Sequence, residues 1–220
     1  MKKNGKKLLV MGIMQILAFA VWTVLIQTVD VQPVGQNGTD IGFAVFNRWF
    51  FGLTGVHMTL YTATDWLGLV PVFVCMVFGA MGAVQLVRRK SLLRVDYDIT
   101  ALGVYYIIVI SGYLIFEMIP INYRPIPIEG RMEASYPSST TLLVLSVMPT
   151  LVFQAERRLK NAAAKRIICI FAVAFSVFTV GGRLISGVHW FTDIFGGVLL
   201  SAGLFSIYKA AVLLHGEKEN

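Results

Sequence analysis

Charge is scarce in this sequence: of 220 residues only 14% are Asp, Glu, Lys or Arg, against 56% hydrophobic. A chain of that size has too little polar surface to hide its apolar residues as a soluble single domain, so lipid is its expected solvent. Cysteine is nearly absent. Cys75 and Cys169 both fall inside apolar runs, where a thiol packs as a small hydrophobe, and they build no disulfide framework. Histidine numbers three, and nowhere do His, Cys, Asp and Glu recur at metal-ligand spacing, so no metal site is expected.

What is present is long apolar runs. They lie near residues 8–29, 66–87, 99–119, 139–155, 167–181 and 192–214, and about 20 residues are needed to cross a bilayer. The expected fold is all-α: a six-span transmembrane helical bundle forming one integral membrane domain over 1–220. Residues 1–7, MKKNGKK, imitate the start of a signal peptide. The apolar stretch behind them exceeds the usual length and no small-residue cleavage site follows, so a retained first span is expected.

The net charge of +7 would suit nucleic acid were it not for its distribution. Lys2, Lys3, Lys6 and Lys7 precede span one, Arg88, Arg89, Lys90 and Arg94 separate spans two and three, and Arg157, Arg158, Lys160, Lys165 and Arg166 separate four and five. With Lys209 and Lys218 at the end, fifteen of the 19 basic residues share one side. That side is expected to be cytoplasmic, with both termini, and the partner is a bilayer and not nucleic acid. Arg48, Arg124, Arg131 and Arg183 fall on the other side.

The string Gly182 to Asp193, GRLISGVHWFTD, concentrates chemistry in this greasy chain. If Val188 to Leu200 is helical, His189 and Asp193 lie four apart on one face, and a carboxylate that accepts one ring N–H leaves the other nitrogen bare as nucleophile or base. Arg183 lies six residues earlier, across Gly187, where the chain can reverse. Its planar fork of donors matches phosphate oxygens. The bland alternative is a capped helix end with a snorkelling arginine. The whole pattern, Arg-x-x-x-Gly-x-His-x-x-x-Asp, resembles the third signature of the type 2 phosphatidic acid phosphatase superfamily, with Gly182 where that family usually has serine.

Two further fragments carry the resemblance. Arg124-Pro125 is similar to the end of the first signature, whose lysine position holds Glu117 here; Arg131 is a candidate substitute cation. Tyr136-Pro137-Ser138-Ser139-Thr140 resembles the second signature, with Ser139 for glycine and Thr140 for histidine. A serine opening span four also offers free amides and a positive dipole end to an anion. The topology brings all three fragments, residues 117–193, to the outer side. Between spans one and two, an outer segment 30–64 contains an aromatic-rich stretch, Ile41 to Tyr61, expected as a helix lying in the interface. Thr64 or Asp65 is expected to cap span two, and Asp96 or Asp98 span three.

The resemblance implies a lipid phosphatase of the plasma membrane, without metal or cofactor, acting on the extracytoplasmic face through a phosphohistidine. Carried over by motif, His189 attacks phosphorus, Asp193 orients it, Arg124 and Arg183 hold the oxygens, and Ser138, Ser139 and Thr140 complete the cradle. A threonine hydroxyl cannot protonate a departing alkoxide near neutrality. A polyprenyl diphosphate such as undecaprenyl diphosphate, whose leaving group is already a stabilised anion, is therefore the expected substrate. The alternatives are a phosphotransferase acting on an alcohol or sugar, and a non-catalytic lipid-phosphate binder. The sequence sets no oligomeric state.

Overall fold

The computed structural model of the chain describes residues 2–216. Met1 and residues 217–220, including the Lys218 counted above, lie outside the described residues. The elements run α1 (Lys2–Thr28), α2 (Ala44–Thr54), α3 (Met58–Leu67), α4 (Leu69–Arg89), α5 (Tyr97–Met118), α6 (Ser139–Arg158), α7 (Ala162–Ile185) and α8 (Phe191–His215). By length and composition six units can cross a membrane: α1, α3 with α4, and α5 to α8. Loops contribute only isolated β-bridges among the described residues. The all-α six-span reading holds, and the chain is a multi-pass membrane protein.

Three boundaries differ from the sequence reading. The aromatic stretch is not one helix over Ile41 to Tyr61: Gly55, at φ +68°, ends α2, and residues from Met58 already belong to the second span. Leu159 to Asn161 is the whole linker between α6 and α7, because Asn161 caps α7 through Ala163 N and Ala164 N and the alanines behind it are strong helix formers. Nor do Thr64 and Asp65 cap a helix. Thr64 Oγ1 donates back to the Leu60 and Tyr61 carbonyls, and Asp65 pairs with Arg183.

α1 lies along α8, where small residues let the backbones close. A Cβ on Gly203 would stand 2.8 Å from the Ile16 side chain, and one on Gly12 3.0 Å from the Gly203 carbonyl. Phe19, Leu102, Tyr105, Tyr136, Leu142 and Tyr208 fill the main core between α1, α5, α6 and α8. α6 is the least apolar span and the most enclosed. This explains why its hydropathy signal was weak: a span surrounded by protein need not be greasy.

The start of α5 and the ends of α4 and α6 are tied by a charged network. Arg158 Nη2 donates to both oxygens of Asp98 at 2.9 and 2.8 Å, Arg157 approaches Asp98 at 3.4 Å, and Arg89 pairs with Asp96 at 2.7 Å. Neither aspartate caps α5 through its side chain; arginines claim both. Arg89 and its neighbours hold the Asp96 carboxyl below its ordinary range. The Asp98 side chain is only 9% exposed, so Asp98→Ala, which strands Arg158, is expected to destabilise the protein by about 2 kcal/mol. Arg157→Gln, at a longer and wetter contact, should cost under about 1 kcal/mol. Thermal unfolding in one detergent checks the order.

Candidate active site

The end of the bundle away from that network gathers the C-terminus of α5, the N-termini of α6 and α8, and the loops between them. α7 delivers Arg183 just before it stops. Gly187 then turns the chain at φ +71° so closely under the α2–α3 junction that a Cβ there would lie 2.0 Å from the Gly55 carbonyl oxygen. His57 N donates to Ser186 O at 3.0 Å and fastens the turn.

α8 begins at Phe191, so His189 sits in the turn before it and not on the helix. Asp193 still faces the ring, by a different route, but the expected hydrogen bond is not made: Nδ1 has no hydrogen-bond partner among the described residues. Asp193 Oδ2 accepts from Trp190 N at 2.9 Å as the first turn winds up, Oδ1 accepts from Asn122 Nδ2 at 2.9 Å, and Oδ2 stands 3.9 Å from His189 Nδ1. That last separation is ion-pair range, longer than a hydrogen bond. On the other side of the ring, Arg124 Nη1 donates to Nε2 at 3.4 Å. An arginine has no acceptor to offer, so Nε2 is the bare nitrogen and the ring proton faces Asp193 from Nδ1.

His189 is 4% exposed. Burial, joined by the positive charges of Arg124 and Arg183 and opposed by Asp193, lowers its pKa to about 4. The imidazole is therefore neutral at physiological pH, as a nucleophile must be.

Arg124 and Arg183 converge. Tyr61, on α3, carries the Arg183 guanidinium carbon 4.7 Å and that of Arg124 5.8 Å from its ring centroid, so one aromatic ring neighbours both like charges. Arg183 is 1% exposed. Its Nη2 donates to Asp65 Oδ1 at 2.6 Å and Thr140 Oγ1 at 2.5 Å, while Nε and Nη1 have no hydrogen-bond partner among the described residues. Buried donors left unpaired are costly and mark a place where an acceptor is missing. Arg124 is anchored through its backbone by Glu133 O and Gln36 Nε2, and its Nε ion-pairs with Glu133 at 3.0 Å without hydrogen-bond alignment.

Ser138 caps α6, its Oγ accepting from Thr141 N at 3.5 Å, and its own amide donates to the Asp193 carbonyl at 3.1 Å. The N-termini of α6 and α8 are thereby stapled together. Ser139 and Thr140 open α6, where amides have no intrahelical acceptor. Beside His189 is a void of about 10 Å³, lined by Tyr113, Glu117, Tyr136 and Ser139, room for about one water. Beyond Ser139 and Tyr113 a larger, mainly apolar groove of about 460 Å³ runs between α4, α5 and α6, with Asp65 and Thr140 at its polar end.

The sequence-derived residues thus separate into groups. His189, Asp193, Arg124, Arg183, Ser138, Ser139 and Thr140 come together. Glu117 is exposed at the rim of the small void. Arg131 lies exposed in a tight turn whose backbone pairs with Ile128, and no contact joins it to the cluster among the described residues. Sequence reasoning missed Tyr61, Asp65, Asn122 and Glu133. For the first two a signal existed, since Tyr61 and Asp65 are four apart and share one helix face. Asn122 and Glu133 reach the site through loop pairing that no periodicity announces.

The PAP2 superfamily profile matches residues 99–215, which span the motif-bearing helices α5 to α8. The fold is similar to the crystal structure of a transmembrane PAP2-type phosphatidylglycerolphosphate phosphatase from Bacillus subtilis, at 19% identity and a TM-score of 0.62, covering 94% of this chain and 96% of that one. No curated protein matches the chain. With the match spanning more than half of the sequence, the chain belongs to the PAP2 superfamily.

Proposed function

We propose that this protein is a membrane lipid phosphatase that works through a phosphohistidine at His189 and favours a polyprenyl diphosphate, such as undecaprenyl diphosphate, over a phosphatidate-like monoester. The observation that carries the reading is a buried neutral imidazole whose bare Nε2 faces one arginine, while a second buried arginine nearby leaves two donors unpaired. A phosphoryl group between them would take those donors and present phosphorus to Nε2.

In the first step Nε2 attacks phosphorus, Asp193 stabilises the proton on Nδ1, and the bond to the leaving oxygen breaks. Arg124, Arg183 and the first amides of α6 take up the charge on the equatorial oxygens. In the second, water displaces the imidazole and phosphate departs. The route uses this chain's own residues and no metal ion. The 460 Å³ groove supports a lipid rather than a soluble ester, since its apolar wall of Val109, Leu142 and Val147 suits a hydrocarbon chain. The basic ends of α4 and α6 support an orientation with that end cytoplasmic and His189 at the extracytoplasmic face of the plasma membrane.

Thr140 carries the diphosphate preference. Its hydroxyl accepts from Arg183 and is no acid near neutrality. Purified protein should release phosphate faster from undecaprenyl diphosphate than from phosphatidate; the opposite order overturns the preference. Thr140→His should raise monoester turnover about 10²-fold relative to diphosphate turnover, read as the ratio of the two kcat/KM values. Transfer of phosphate to an added alcohol with no free phosphate would make the protein a phosphotransferase instead.

A further inference from the structure

The reaction just described leaves its second step without a base. A diphosphate leaving group removes the need for an acid at Thr140 in the first step, but every substrate ends as the same phosphohistidine, and the water that hydrolyses it must lose a proton. Thr140 cannot accept that proton. Asp193 faces Nδ1, on the far side of the imidazole from phosphorus, and is held by Trp190 and Asn122. Glu133 is spoken for by Arg124, and Glu117 lines the small void, whose walls include neither Thr140 nor Arg183.

In-line displacement says where the base must be. The leaving group and the incoming water use the same apex of phosphorus, opposite Nε2. With Arg124 at Nε2 and Arg183 completing the cradle, that apex lies toward Thr140 and the apolar groove into which a lipid leaving group would withdraw. One carboxylate lines that groove, and it is Asp65.

We infer that Asp65 is the general base that activates water for hydrolysis of the phosphohistidine. The inference rests on the proposed phosphohistidine reading and extends it. Asp65 Oδ1 bonds Arg183 Nη2, the same nitrogen that bonds Thr140, so the carboxylate stands next to the position from which the expected imidazole is missing. Its side chain is 57% exposed at the polar end of the groove, and among the described residues nothing donates to Oδ2. Oδ1 keeps the carboxylate in place while Oδ2 is free to accept. In the step itself, one water proton passes to Oδ2 as the oxygen bonds phosphorus. The P–N bond breaks, its electron pair returns to His189 Nε2, and inorganic phosphate leaves with the Arg183 donors released. Asp65 then gives its proton to solvent.

A base for the second step predicts an enzyme that charges but does not discharge. Asp65→Asn keeps the size and an oxygen for Arg183 but cannot take a proton. Given farnesyl diphosphate radiolabelled at the terminal phosphate, the variant should accumulate acid-labile label on the protein to about one per chain in a burst. Steady release of phosphate should fall about 10²-fold or more. Asp65→Glu should restore much of that release. Release at the wild-type rate from Asp65→Asn, or loss of label and release together, overturns the inference, the second outcome reducing Asp65 to a prop for Arg183. Failure of the underlying reading looks different: His189→Ala would still release phosphate, or would still take the label.

Discussion

Replacing His189 with alanine is expected to abolish phosphate release, by at least ~10⁴-fold in kcat, with the fold intact. The magnitude follows from the role. Removing a nucleophile that forms a covalent intermediate deletes the reaction path and not merely one contact to the transition state, which is why such losses exceed those of any single binding group. The variant should still unfold cooperatively. Among the described residues the imidazole's hydrogen bonding is limited to Arg124 at 3.4 Å, and the helix start is secured independently by Asp193 with Trp190 and Asn122. It should also still bind a lipid diphosphate, since Arg183 and the α6 amides are untouched. Phosphate release persisting in His189→Ala at more than a few per cent of wild type would end the phosphohistidine reading.

The same residue fixes a pH dependence whose sign is set by burial. An unfolded histidine titrates near 6.5, whereas His189 in the fold titrates at about 4. Between those values the unfolded chain binds a proton that the folded chain refuses, so falling pH favours unfolding. This contribution to stability is present in full above about 6.5 and is lost as pH falls toward and through about 4. His189→Gln removes a group that resists protonation, so it should flatten the decline of melting temperature with acid over that window.

Much of the fold was legible because lipid imposes a simple rule: a span must satisfy its backbone internally and cover itself with apolar side chains. Six runs follow from that rule alone, and two crossings between them put Arg89 and Arg158 at one end of the bundle, where both meet Asp96. It fails where protein, not lipid, is the neighbour. α6 hides Ser146, Thr150 and Gln154 inside the bundle, so its apolar run looked too short. The aromatic stretch after α1 broke at Gly55 because the turn carrying His189 needs the space. At the site, the motifs supplied Arg124 and Thr140 although their partners His189 and Arg183 lie 65 and 43 residues away. They contain neither Asp65 nor Asn122, which meet Arg183 and Asp193 across 118 and 71 residues. The spacing of His189 and Asp193 pointed to two groups that do face each other, 3.9 Å apart, but for a different reason: a helix-capping turn, and not one helix face, sets the carboxylate near the ring.

Arg183→Lys should cost about 10² to 10³-fold in kcat/KM, although charge is conserved. The structure says why. The guanidinium performs three tasks from one plane: Nη2 holds Asp65 and Thr140, Nε and Nη1 remain free, and the face lies over Tyr61. A lysine ammonium is a compact point charge on a flexible stem, without the fixed fork that meets phosphoryl oxygens. At this position it would settle against the Asp65 carboxylate and leave nothing directed at the phosphoryl group. The loss should therefore appear in the first step, as failure of the labelled diphosphate to charge His189, whereas Asp65→Asn charges and stalls. Arg131→Lys, at an exposed turn outside the cradle, serves as the control and should leave kcat/KM within about twofold. If Arg183→Lys charges His189 at the wild-type rate, the phosphoryl oxygens do not rest on this guanidinium, and the unpaired donors at its edge need another acceptor to explain them.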